Sequence, residues 1–161
     1  MVSVQKDVST LALSYILAFG FTTVFIVYII NLPGLLTNQQ NLVDEYYKVN
    51  FLKMIPFDMF LVLFYILAAQ LIIYFMDIQE MLLKTFIVVL TTATISGMFY
   101  IGYIQAPLKT SSFFSRWFHS AGLSAVAYDM IYVPLVYIVT VLLLTEHIYA
   151  VKVGKDTYKD K

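Results

Sequence analysis

The sequence predicts an all-α fold: an integral membrane four-helix bundle with a short interfacial helix between the first and second spans. Three observations predict it. Of the 161 residues, 61% are hydrophobic and only 12% charged, and the mean hydropathy is +0.82, so a soluble domain of this size would lack a polar surface. Four apolar runs reach about 20 residues or more, the length a helix rising 1.5 Å per residue needs to cross a hydrocarbon core about 30 Å thick. Proline, glycine and charged residues separate the runs, as helix boundaries require.

The first span is expected at residues 10–32, because no Asp, Glu, Lys or Arg occurs between Asp7 and Asp44 and "NLPGLL" closes the run. Lys6 is offset at once by Asp7 and the apolar stretch is too long for a signal peptide, so a mature helix is expected. The second span, residues 56–76, carries Pro56 in its first turn, where a missing N–H costs nothing. The short "MDIQEMLLK" then predicts a tight antiparallel hairpin, with Glu80 four residues before Lys84 in the favourable order. The third span, residues 85–105, is released by "APLKTSS", and the fourth covers residues 121–145. Between the first two spans Val43, Tyr47, Phe51 and Met54 recur at helical spacing, while Asp44, Glu45 and Lys48 crowd another face. That pattern predicts the interfacial helix. Residues 151–161 alternate charge without an apolar face and read as a solvated tail. Without repeats or low-complexity segments, residues 1–161 form one membrane domain.

Four spans place both termini on one side of the bilayer. Lys6, Lys84, Lys152, Lys155, Lys159 and Lys161 lie on that side, against Lys48, Lys53, Lys109 and Arg116 on the other. Under the positive-inside rule this excess points to cytoplasmic termini. Ten basic residues balance ten acidic ones, so no basic footprint argues for nucleic acid. The chain has no cysteine, which removes thiol nucleophiles, thiolate metal sites and disulfides. Nucleophile elbows, HExxH, phosphate loops and paired histidines are missing too, so neither an enzyme nor a bound cofactor or metal is expected. The expected partners are the lipid bilayer and either further copies of the chain or other membrane subunits.

"AVAYDMIYVP" places Asp129 well inside the fourth span, where a charge costs about 2.5–3.5 kcal/mol. Such an acid faces the bundle or a water-filled cavity rather than lipid. Asp58, near the start of the second span, enters the membrane from the same side, and the "SSFFSRWFHSAG" loop lies on that side as well. Asp58, Asp129, Arg116 and His119 are therefore expected to converge, with Arg116 or His119 facing the acids. Tyr132, three residues past Asp129, is a candidate donor to it. Pro134 has no N–H for the carbonyl of Met130, so a kink and a free acceptor are expected beside the acid. In the third span Ala93 and Gly97 form a small-xxx-small pair, flanked by Thr92 and Ser96 at the same spacing, and packing within the chain is the favoured role. Ser14 and Ala18 offer a similar contact on the first helix.

The stretch from Phe113 to Val139, with its aromatic-Arg-Trp loop, small-residue helix start and Tyr-Asp pair, resembles uncharacterised small multi-pass membrane proteins of large DNA viruses of algae and protists. The resemblance implies a virus-encoded membrane protein and brings no catalytic residues. Two functions stand at this stage. One is a structural or assembly role, as a homo-oligomer or small subunit of a larger complex, with Asp129 satisfied inside a dry bundle. The other is a small proton-linked transporter or ion channel in which Asp129 titrates in a hydrated half-channel, with Asp58 and the Arg116 loop at its mouth. The structural role is ranked first.

Overall fold

The structure, a computed structural model, describes the backbone of residues 2–157 and the side chains of residues 8–145. Every regular element among the described residues is helical. Helix α1 (Val2–Thr23) passes into a π-helical stretch, Val24–Ile29, and Asn31 then turns the chain at φ 56°. Two short helices follow, α2 (Leu32–Thr37) and α3 (Gln40–Asp44), and a second π-helical turn spans Glu45–Val49. Next come α4 (Phe51–Phe75), α5 (Met81–Gln105), α6 (Phe113–Ala121) and α7 (Leu123–Thr157).

Four stretches are long and apolar enough to cross a membrane: Val8–Ile29, Phe51–Phe75, Met81–Gln105 and Leu123–Thr145. The protein is thus an all-α, multi-pass membrane protein with four candidate spans. The observed limits move by a few residues. Pro56 sits inside α4 rather than at its first turn, because the helix already starts at Phe51, and the fourth span starts after Gly122. Residues 151–157 continue α7 as helix, whereas the solvation expected of the tail concerns side chains outside the described residues. The side chains of Lys6, Lys152, Lys155, Lys159 and Lys161 lie outside them too.

The helices bury one shared core. Tyr15, Ala18 and Phe19 from α1 meet Val62, Ala69 and Ile73 from α4, Val88 from α5, and Tyr132, Val133 and Val136 from α7. α7 packs along both α1 and α5, and α4 packs chiefly on α5. Outward faces carry large apolar side chains such as Phe21, Phe60, Leu71 and Leu82, the surface a bilayer solvates. The hairpin between α4 and α5 is as tight as expected, turning at Asp77 with φ 49°. Its Glu80 and Lys84 join only through the backbone, Lys84 N to Glu80 O, while Gln79 Nε2 donates to Asp77 Oδ1. Ion pairs among the described residues are Lys48 with Asp44 and Arg116 with Glu45.

At the end of the bundle where α4 and α7 begin, the connections are built structures. The segment expected as an interfacial helix forms α3 and the 45–49 turn, and it buries Val43, Tyr46 and Tyr47 while Asp44 and Lys48 pair on the outside. A π-helix rotates less per residue than an α-helix, which helps turn the neighbours Tyr46 and Tyr47 inward together. "SSFFSRWFHSAG", read as a loop, is α6. Ser112 caps it by accepting from Ser115 N, and Gly122, at φ 59° and ψ −140°, breaks it from α7. Phe113, Phe118 and Ala121 form its buried face, with Phe114 and Trp117 partly buried beside them.

Candidate functional site: an aspartate cavity under α6

At this end α4, α5 and α7 are capped by α6 and the 45–49 turn, whose Phe113, Trp117, Tyr46 and Tyr47 reach the same space. Beneath them lies a cavity of about 100 Å³, room for several waters. Asp58 from α4 and Asp129 from α7 both line it. Asp129 sits six residues into α7, roughly 9 Å along it, and Asp58 seven residues into α4, roughly 10 Å, so the acids lie at similar depths.

Asp129 Oδ2 accepts a hydrogen bond from Ser96 Oγ at 2.6 Å, and Ser96 is fully buried on α5. Asp58 is met by the phenols of Tyr46 and Tyr47. Tyr47 Oη donates to Asp58 Oδ2 at 3.4 Å, near the limit of a hydrogen bond, and lies 3.0 Å from Tyr128 Oη. With Tyr47 donating to the acid, Tyr128 is left to donate to Tyr47, which makes a relay of two phenols ending on Asp58. Burial, with the negative charge of Asp58 adding to it, pushes the Tyr46 and Tyr47 phenols well above their ordinary range. Both stay protonated donors. The 45–49 turn is itself anchored by Tyr28, whose hydroxyl donates to Tyr47 O at 2.5 Å.

The residues singled out in the sequence fare differently. Asp58 and Asp129 do come together on one cavity. Arg116 does not face them: its Nη1 and Nη2 donate to Glu45 Oε2 and Oε1 at 2.7 and 2.5 Å, and its guanidinium stands 5.9 Å from the centre of the Phe113 ring. This fork joins α6 to the 45–49 turn across the top of the cavity. The hydrogen bonds from Arg116, with its charge adding to them, hold the Glu45 carboxyl below its ordinary range, and the same bonds raise Arg116. His119 is turned back along α6, with Nδ1 2.8 Å from Ser115 O. Tyr132, 1% exposed, places its hydroxyl 2.6 Å from Thr23 Oγ1 and its ring edge on Phe19 rather than serving Asp129. α7 runs through buried Pro134 without ending, and the proline still denies the Met130 carbonyl its donor. Of the small residues, Ser14 and Ala18 are buried inside the bundle, as are Thr92 and Ser96. Ala93 and Gly97 are half-exposed instead, and a Cβ added at Gly97 would meet nothing within 4 Å.

Four participants escaped sequence reasoning. Ser96 stood out only as a small residue, Glu45 as part of the charged face of the interfacial helix, Tyr47 as part of its apolar face and Tyr128 as half of a Tyr-Asp pair. No group of three or more metal-ligating side chains occurs among the described residues.

Eleven of the fifteen residues around the cavity are aromatic, two are the aspartates, and none is Lys, Arg or His. The site is acidic in an aromatic shell, and Arg116 of the covering helix α6 is already committed to Glu45. Comparison of the chain with family models, curated protein sequences and solved structures finds no match.

Proposed function

We propose that this multi-pass membrane protein is a small proton-linked transporter or channel in which Asp129 and Asp58 take up and release the proton. One observation carries the reading: two carboxyls from different spans open on the same cavity, which has room for several waters, and no cationic side chain lines it. A charged aspartate at such depth costs about 2.5–3.5 kcal/mol, so each must be neutralised by a proton, matched by a mobile cation, or solvated by water held in the cavity. A purely structural acid calls for a dry and closed set of partners. Asp129 has a single side-chain donor, Ser96, and Asp58 is met only by phenols, Tyr47 at 3.4 Å and Tyr46. That incomplete satisfaction sets the structural role behind transport.

Four spans make a narrow pathway, so the working unit is an assembly of copies. The half-exposed Ala93 and Gly97 on α5, with open space at Gly97, support a close helix contact between copies. Cytoplasmic termini would turn the cavity toward the opposite face. The test is proton flux into proteoliposomes carrying a pH-sensitive dye, comparing wild type with Asp129→Asn after matching insertion and oligomeric state. Flux in the wild type that disappears in the variant is expected. Wild-type flux no greater than that of empty liposomes under any imposed gradient would return the protein to a structural or assembly role.

A further inference from the structure

Taking up a proton needs carboxyls and water, yet the cavity is built mainly of rings. A space of about 100 Å³ is larger than a proton relay requires, and with eleven aromatic residues among its fifteen the wall presents mostly ring surface rather than the carboxylate and carbonyl oxygens a hard cation takes. Rings around a cavity present their negative faces or their edges, and negative faces attract a cation that has shed its water. Two carboxyls in the same wall supply the opposite charge. Tyr65 on α4, Tyr103 on α5, Tyr128 on α7 and Trp117 on α6 approach from four helices, so a bound cation would meet rings from several sides rather than stack on one face.

Inorganic cations are strongly hydrated and gain little from an aromatic wall, whereas an alkylammonium spreads its charge over methyl or methylene groups that rings contact well. Charge complementarity, size and apolar character thus agree on one class of ligand. We infer that the cavity between α4, α5, α6 and α7 binds a small organic ammonium ion, seated against the aromatic wall, its single charge balanced by one ionised carboxyl of the Asp58–Asp129 pair while the other keeps its proton. The inference rests on the transport reading and names its solute: the ammonium and the proton would compete for the same carboxyls, the simplest coupling of one flux to the other.

Trp117 is the one tryptophan of the chain and lies in the cavity wall, so its emission reports occupancy directly. Full-length protein in lipid nanodiscs is titrated with choline and, separately, with neohexyl alcohol, its neutral carbon isostere. A saturable change with choline at concentrations where the alcohol gives none is expected, with choline affinity roughly tenfold to hundredfold weaker in Asp58→Asn and in Asp129→Asn. The comparison of charged with neutral ligand uses wild-type protein alone, so a variant that fails to fold does not block the test. Equal responses to the two compounds, or full choline affinity in both folded variants, would overturn the inference. Silence toward choline in protein that still conducts protons would overturn it while leaving the transport reading intact. Choline binding without proton flux would support the ammonium site and sink proton transport.

Discussion

Breaking the fork between Arg116 and Glu45 should loosen the cover of the cavity by an amount the geometry sets. The side chains of Arg116 and Glu45 are 28% and 31% exposed, so the pair stands between a surface ion pair worth about 0–1 kcal/mol and a buried one whose breakage costs about 3–5 kcal/mol. Two-pronged geometry argues for the upper end of the surface range, and screening at this exposure keeps it from going higher. About 1 kcal/mol is the expected loss in Arg116→Gln, which multiplies the population with α6 lifted from the 45–49 turn about fivefold. The natural chain has no cysteine, so Leu61→Cys places a single thiol on the cavity wall. Its rate of reaction with a membrane-impermeant, positively charged methanethiosulfonate, added on the α6 side, measures that population. Arg116→Gln should raise the rate about fivefold. Glu45→Gln should do the same, and the double variant should add little more, because either change already breaks the pair. An unchanged rate in Arg116→Gln, or effects of the two changes that simply multiply, would refute the clasp. Acid gives a second arm. Glu45 is held below its ordinary value of 4.5, so its share of the stability is present above that value and is lost as pH falls through the lower folded value. The acid-induced change in Trp117 emission should therefore shrink below pH 4.5 in Glu45→Gln.

Two further changes separate scaffold from site. Tyr132→Phe removes the hydroxyl facing Thr23, which keeps its bond to Phe19 O, so the cost should be about 0.5–1.5 kcal/mol in denaturant unfolding, with proton flux unchanged because Tyr132 is outside the cavity wall. Gly122→Ala meets no atom within 4 Å, yet φ 59° with ψ −140° is a conformation only glycine adopts cheaply. A loss of about 1–3 kcal/mol in the same unfolding assay would come from backbone strain alone, and an unchanged midpoint would refute that account.

The spans were legible in the sequence because uninterrupted apolar length is the signal that a bilayer demands, and no tertiary contact can disguise it. Asp129 was legible for the converse reason, as a charge inside such a run. α6 was less so. Its nine residues are too few for a span, and its aromatic spacing, Ser112 cap and Gly122 stop were absorbed into an interfacial loop. The partners of the polar groups were not legible at all. Glu45 and Arg116 are 71 positions apart, Ser96 and Asp129 are 33, and Thr23 and Tyr132 are 109. Pairing the acids with Arg116 followed from charge alone and overlooked Glu45, a nearer carboxylate on the segment that α6 packs against. Tyr132 followed from helical spacing, and three residues do place it one turn from Asp129. What spacing could not supply was the choice between that neighbour and a hydroxyl on α1.

Both buried carboxyls lie at one end of the bundle, and this bears on how a solute could cross. Ser96, Thr92 and Val88 lie at four-residue steps on α5, each fully buried, so they share one file running inward from the cavity. Ser96 serves Asp129. Thr92, one turn deeper, has a hydroxyl with no partner, which extends the polar file and suits a proton or a water better than an apolar core does. At Val88 the file stops, where Val136 of α7, Ala69 and Ile73 of α4, and Ala18 of α1 belong to the same dry core. A cation resting on Asp129 therefore faces an apolar layer in one direction and the α6 clasp in the other. Carriage across the membrane requires the apolar layer to part when the carboxyls are neutral, since moving them charged through it would repeat the cost that the cavity avoids. Neutral passage is what exchange of a proton for an ammonium would provide: either ligand would cancel the one ionised carboxylate of a pair whose other member keeps its proton, and the empty, charged form would stay confined to the wet end.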